Sequence, residues 1–311
     1  MEKDLTAPDK EPEAPEFRIL LESSENASIA APDLMGKVAL AVTSPPYHNA
    51  IDYESHAVDS SQNYRTRSNI NYSGEYLDLM TSVWNSCWDM LRPGGYLVIN
   101  AGTVLEDGYH FPLPQDLVAE AMKQRKWEFI RTVVWFKVTA GVKRAGSVIQ
   151  HPLPGYWSYN IMTEHIQVLR KPGGKSVANH DVPEEWWQPV WDLAPVPPRQ
   201  VDHPAPYPED LAHRFIRMLT NEGDWVMDPF NGAGSTSKAA FDLGRRALGF
   251  DISEKYVGIA VDRMNEASMV RARQLQIVPV PQADFVPGKS KGRTRHGAGL
   301  ATRNRSSNDK S

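Results

Sequence analysis

The succession of apolar and polar stretches along the chain predicts strands and helices in regular alternation. Val38 to Val42 is a short unbroken apolar run, the pattern of a strand buried on both faces. Tyr76, Met80, Val83, Cys87 and Leu91 fall at helical spacing within Glu75–Leu91, and Arg92-Pro93-Gly94-Gly95 supplies the breakers that end this helix. "YLVIN" then reads as a buried strand, Gln115–Lys126 as a helix and "FIRTVVWFKV" as a further strand. Near the other end, "PEDLAHRFIRMLT" reads as a helix, "DWVMDPF" as a strand and "NGAGST" as a tight loop. "SKAAFDLG" follows as a helix, "RRALGFD" as a strand and "SEKYVGIAVDRMNEA" as a helix with Ser253 as its N-cap. Helices alternating with apolar strands predict an α/β fold whose mostly parallel sheet is covered on both faces.

The rhythm fails from about Thr139 to Val201, where Pro, Gly and aromatic residues crowd together and only "HIQVLR" looks strand-like. Irregular segments this long inside a compact domain are usually functional or disordered. Three tryptophans within six residues, Trp186, Trp187 and Trp191, argue against disorder. The ends differ in charge. Residues 1–16 carry six acids against two bases, and residues 271–311 carry nine bases against two acids. Both read as disordered tails flanking one folded domain, residues 17–270. The basic tail either solubilises the protein or adds contacts to phosphates.

Composition narrows the setting. No apolar run approaches the roughly 18 residues of a membrane span, and the first residues hold no signal-peptide core. The single cysteine, Cys87, rules out an internal disulfide framework, so a reducing cytoplasmic setting is expected. Its place on a helical apolar stripe reads as inert packing.

Two stretches carry candidate chemistry. In "AVTSPPY" the apolar run meets Pro45 and Pro46, which cannot extend a ladder or a helix. They hold a short, stiff length of backbone at a strand end, which is either a plain strand exit or a rigid place to hold a ligand. In "DWVMDPFNGAGSTSKAAFDLGRRALGFD", Gly232 and Gly234 let the chain turn sharply ahead of a helix N-terminus. Asp251 ends the next strand, where a βαβ nucleotide site puts the acid that holds ribose hydroxyls. The GxxxxGK[ST] phosphate loop is absent, and the position of the third dinucleotide glycine holds Ser237. Asp228 would repel a pyrophosphate and would suit a cationic amino group. A ribose with a cationic amino-acid tail describes S-adenosylmethionine.

DPFNGAGST followed by GRRALGFDISEKYVGIA resembles the cofactor motif of the amino-DNA methyltransferases, and TSPPY resembles their catalytic motif. "HPAPYPEDL" is similar to the segment that precedes the cofactor motif in that family. The order catalytic, variable, cofactor resembles the permuted β class, and the likeness spans roughly residues 17–270. It implies a Rossmann-like methyltransferase fold with a small, irregular target-recognition insertion, here 139–201. It also implies a methyl group moved from S-adenosylmethionine to the exocyclic amino group of a base flipped out of double-stranded DNA.

By the same resemblance, the Ser44 side chain and the Pro45 carbonyl accept the two amino hydrogens. Pro46 keeps the backbone stiff, and Tyr47 stacks on the base. Asp228, Pro229, Phe230, Gly232, Gly234, Ser235, Thr236, Asp251, His203 and Ala205 are the candidate cofactor residues. Arg65, Arg67, Lys143 and Arg144 are candidates for DNA contacts, and no metal is required. Ser before the prolines favours cytosine N4 over adenine N6. Cytosine C5 chemistry would need a cysteine nucleophile, which Cys87 in its helix does not offer. The family's acidic contact to the cofactor adenine has only a weak substitute, Glu22, in "LLESSENAS".

The resemblance allows a cognate restriction endonuclease as a partner, a monomer or a homodimer, and a prokaryotic or phage-encoded protein. The alternatives are a methyltransferase acting on RNA or another amine, a catalytically inactive DNA-binding regulator, and a nicotinamide oxidoreductase, in which SPPY would have no role.

Overall fold

The run Val38–Thr43 forms a strand, β2, every residue of which is buried. Its side chains alternate between two cores: Val38 and Ala41 pack on one face of the sheet, Leu40 and Val42 on the other. A strand can be apolar throughout only when both faces are covered, and here they are. In the computed structural model, residues 16–46, 72–106, 109–137, 162–194 and 208–275 are described. All belong to one unit, Met1–Pro279. Among them no helix is long and apolar enough to cross a membrane.

The strands are β1 (Phe17–Leu21), β2, β3 (Leu91–Ala101), β4 (Val104–Glu106), β5 (Tyr109–Phe111), β6 (Glu128–Phe136), β7 (Thr163–Arg170), β8 (Val190–Asp192), β9 (Trp225–Asp228) and β10 (Arg246–Asp251). Eight of them form one sheet in the order β1-β10-β9-β2-β3-β7-β6-β8, and β4 pairs with β5 in a separate hairpin. From β1 to β3 every pairing is parallel. β7 is antiparallel to both of its neighbours, and β8 lies parallel to β6.

The principal helices are α1 (Leu77–Met90), α2 (Leu113–Gln124), α3 (Glu209–Leu219), α4 (Ser235–Asp242) and α5 (Glu254–Leu275). α1 turns Met80, Val83, Trp84, Cys87 and Met90 into the first core, and it stops where Leu91 becomes extended ahead of Arg92-Pro93. Burial pushes the Cys87 thiol pKa up, so it packs as a small inert apolar group. α3 buries Leu211, Ala212, Phe215 and Ile216 in the second core. Ser253 begins α5, its hydroxyl accepting from the Tyr256 amide at 3.5 Å.

The irregular stretch is partly regular. "HIQVLR" lies in β7, deep in the sheet, with Asn100 opposite Ile166 and Trp135 opposite Glu164. Trp191 sits in β8 and is buried in the second core, with Trp186 and Trp187 packed against it. These tryptophans therefore serve the core. Within 139–201, residues 139–161 and 195–201 lie outside the described residues, whereas 171–189 is described and runs outside the sheet, with a short 3-10 helix at Glu184–Trp187. The amide of Lys137 donates to the carbonyl of Met162 at 2.8 Å, so the first of these segments begins and ends at adjacent points.

Candidate active site

β9 and β2 are neighbours, but the chain leaves them in opposite directions. β9 leads through α4 to β10 on one side, and β2 leads through α1 to β3 on the other. Such a reversal opens a crevice at the carboxyl ends of the two strands, the usual ligand site of open α/β sheets. Asp228 ends β9 and Thr43-Ser44 ends β2, so the two sequence stretches with candidate chemistry meet there.

The Thr43 hydroxyl donates to Oδ1 of Asp228 at 2.7 Å. Thr236, in the first turn of α4, donates to Oδ2 at 2.5 Å, and the Phe230 amide donates to Oδ1 at 3.0 Å. Asp228 is 2% exposed. Burial pushes its pKa up to about 6, although all three hydrogen bonds pull the other way. It therefore bolts both strand ends and the helix start together, and at neutral pH it leaves negative charge under the crevice.

After β9 the chain turns through Pro229, which is buried, and Phe230, which packs on the first core. Gly232 (φ +48°) and Gly234 (φ +84°) take left-handed conformations before Ser235 opens α4. A Cβ on Gly234 would meet that of Ala260 in α5 at 3.1 Å. Asp251, half-buried at the end of β10, accepts the Gly232 amide at 2.9 Å and the Ser253 amide at 2.8 Å. Burial raises its pKa. Carboxylate oxygens have about four lone pairs between them, so two remain for other donors. Glu22 accepts from Ser23 and Asn26 in its own turn.

Ser44 is half-buried, Pro45 buried and Pro46 half-buried. The fully buried Tyr76 donates its hydroxyl to the Pro46 carbonyl at 2.9 Å, which fixes the diproline from behind. Asn100, at the end of β3, directs its amide nitrogen to the Ser44 hydroxyl at 3.5 Å and to Glu164 at 2.5 Å. Glu164 is ion-paired with Lys137. Asn100, Glu164 and Lys137 escaped the sequence reading, and Tyr76 stood in it only as a position on a helical stripe. The available signal was a polar residue at the same end of three strands: Asn100 after YLVI, Lys137 after VVWF, Glu164 before HIQVL. Tyr47, Arg65, Arg67, Lys143, Arg144, His203 and Ala205 lie outside the described residues.

The sequence matches the DNA methylase family N6_N4_Mtase over residues 38–262. Among curated relatives, Type II methyltransferase M.MthZI of Methanothermobacter thermautotrophicus is 27% identical over 74% of this chain and 72% of its own. M.HpaI of Haemophilus parainfluenzae is 26% identical over 73% and 68%. Among solved structures, TTHA0409 of Thermus thermophilus, in complex with S-adenosyl-L-methionine, superposes with a TM-score of 0.57 at 28% identity, over 81% of this chain and 95% of its own. The cytosine-N4-specific PvuII DNA methyltransferase shares the fold, with a TM-score of 0.63 at 18% identity over 85% and 94%. The match covers both strands of the crevice and the loops that follow them, and this chain belongs to the N6_N4_Mtase family of DNA methylases.

Proposed function

We propose that this protein methylates the exocyclic amino group of a base flipped out of double-stranded DNA, with cytosine N4 as the target and S-adenosylmethionine as the donor. The observation that carries the reading is the meeting of a rigid Ser-Pro-Pro at the end of β2 with a glycine loop at the end of β9, joined through Thr43 and Asp228.

The residues present suit this donor. Gly232 and Gly234 let the chain turn sharply from β9 into α4 beside the crevice, and Asp251 keeps lone pairs for two ribose hydroxyls. The charge of Asp228 suits a cationic ligand above it. When bound, S-adenosylmethionine supplies an electrophilic methyl group on sulfonium. The chain's own task is to make the amino nitrogen able to take it.

That nitrogen is a poor nucleophile because its lone pair is delocalised into the ring. Acceptors on both N–H bonds draw it toward tetrahedral geometry and free the lone pair. Ser44 Oγ and the Pro45 carbonyl are the two acceptors in this reading. The second proline and its bond from Tyr76 keep the backbone aimed without reorganisation. Tyr47 stacks on the base, at about 1–3 kcal/mol per stacked ring. Serine before the prolines favours cytosine N4 over adenine N6, and the order of the two motifs fits the permuted β class. Residues 139–201 hold the part that reads the sequence around the target.

Single-turnover methyl transfer to duplex DNA tests the assignment. Ser44→Ala should slow the step roughly 10- to 100-fold with cofactor affinity unchanged. Tyr47→Ala should slow it strongly, whereas Tyr47→Phe should keep most of the rate. Near wild-type rates for both alanine variants would remove the catalytic assignment. Modification-sensitive sequencing of DNA from expressing cells reads out the base, and N6-methyladenine there would overturn the cytosine choice alone.

A further inference from the structure

Ser44, Asn100, Glu164 and Lys137 come from four adjacent strands or the residue just beyond them: β2, β3, β7 and β6. The register makes them one row. Thr43 is opposite Ile99, so Ser44 stands beside Asn100; Asn100 is opposite Ile166; Trp135 is opposite Glu164. Ile166 and Trp135 both point into the second core. Side chains two apart on a strand share a face, so the polar row crowns that core at the carboxyl rim of the sheet. Asn100 is 1% exposed, and Glu164 and Lys137 are each 8% exposed.

Burying an ion pair and an amide is costly unless their geometry is fixed. What the row fixes is the amide. Lys137 pairs with one oxygen of Glu164, and the other oxygen faces Asn100 at 2.5 Å. An ionised carboxylate only accepts, so the NH2 end of Asn100 must face it. The Asn100 carbonyl oxygen has no partner among the described residues, so Glu164 alone decides this orientation. The second N–H of the same nitrogen then faces Ser44 Oγ. At 3.5 Å this bond is long, as hydrogen bonds of catalytic groups often are before the substrate arrives.

We propose that Asn100, locked by the Glu164–Lys137 pair, is a positioning residue for Ser44. A serine hydroxyl is a free rotor with one proton and two lone pairs. The Asn100 N–H occupies one lone pair from inside the protein. It thereby holds the oxygen in place, with the second lone pair turned outward as acceptor for the amino group of the base. This inference rests on the role proposed for Ser44.

A double-mutant cycle on the full-length protein tests it, read as single-turnover methyl transfer to duplex DNA, with cofactor affinity and melting temperature measured beside it. Asn100→Ala should slow transfer roughly tenfold in the native background, and by less than about twofold in the Ser44→Ala background, because its effect runs through that hydroxyl. Glu164→Gln keeps the shape but releases the lock on the amide. It should give a smaller loss that also vanishes when Ser44 is absent. Equal losses in both backgrounds would make the row a structural plug and overturn the proposal, as would an unimpaired Asn100→Ala. A Ser44→Ala variant at wild-type rate would instead fault the proposed function itself. Should Asn100→Ala not fold, the Glu164→Gln cycle decides alone, additivity again counting against the idea.

Discussion

Asparagine is isosteric with aspartate, and the surroundings of Asp228 could accept the exchange. Oδ1 would keep its bonds from Thr43 and Phe230, while Thr236, facing Oδ2, could turn its hydroxyl to accept from an amide. What the exchange removes is the charge. The folded protein holds the Asp228 proton up to about pH 6, against an ordinary 3.8, so folding takes up protons between those values. Stability then falls as pH rises through that window. Asp228→Asn should escape the fall and gain on the wild type by on the order of 2–3 kcal/mol from pH 4 to above 6. Denaturant titrations across that range check it, and a constant difference between the two proteins would refute it. If the charge also serves the cofactor, the same variant should bind S-adenosylmethionine more weakly while being the more stable at neutral pH. Asp251 offers the contrast, since its remaining lone pairs are proposed to face the cofactor. Asp251→Ala should weaken S-adenosylmethionine binding about 10- to 100-fold by calorimetry.

Between elements, β10 and the loop after β9 approach closely near the crevice. A Cβ on Gly249 would lie 2.5–2.8 Å from the side-chain atoms of Asn231. The Asn231 side-chain oxygen accepts from Ser237 in α4 and its backbone N–H donates to the Phe250 carbonyl, so it has little freedom to retreat. Gly249→Ala should cost about 1–3 kcal/mol of stability and loosen the glycine loop, lowering melting temperature and cofactor affinity together. In the sequence, Gly249 is one small residue in an apolar strand, with nothing to mark it. Elements were legible wherever local periodicity decided them. α1 was readable from Met80, Val83 and Cys87, β2 from its unbroken apolar run, and the glycine loop with Asp251 from spacing. Pairing across distance was not legible. "HIQVLR" looked like a strand, but nothing local says that it lies between β3 and β6. The Asn100–Glu164–Lys137 row depends on that placement. Each member alone is an ordinary polar residue at a strand end. Only the register brings them beside Ser44.

For the whole molecule, the sheet separates two tasks. β9, β10 and their loops form the proposed cofactor half, and β2, β3, β7 and β6 the proposed base half, with Asp228 and Thr43 at the seam. Residues 138–161 leave from the base half, beside Lys137. Exchanging 138–161 for the corresponding segment of a relative should therefore change the methylated sequence with cofactor affinity preserved. Exchanging 139–201 entire would remove β7 and β8 and should abolish folding. Site mapping by sequencing, with melting temperatures, distinguishes the outcomes, and an unchanged site after the shorter exchange would put the reader elsewhere. The bond from the Lys137 amide to the Met162 carbonyl carries a last consequence. Because Lys137 and Met162 are already held together, the ends that any inserted chain must join are fixed in advance, and for a flexible insert each doubling of length costs only about 0.6 kcal/mol in closure entropy. If this segment reads the target as proposed, insertion or recombination between Lys137 and Met162 should yield new recognition sequences with cofactor affinity preserved.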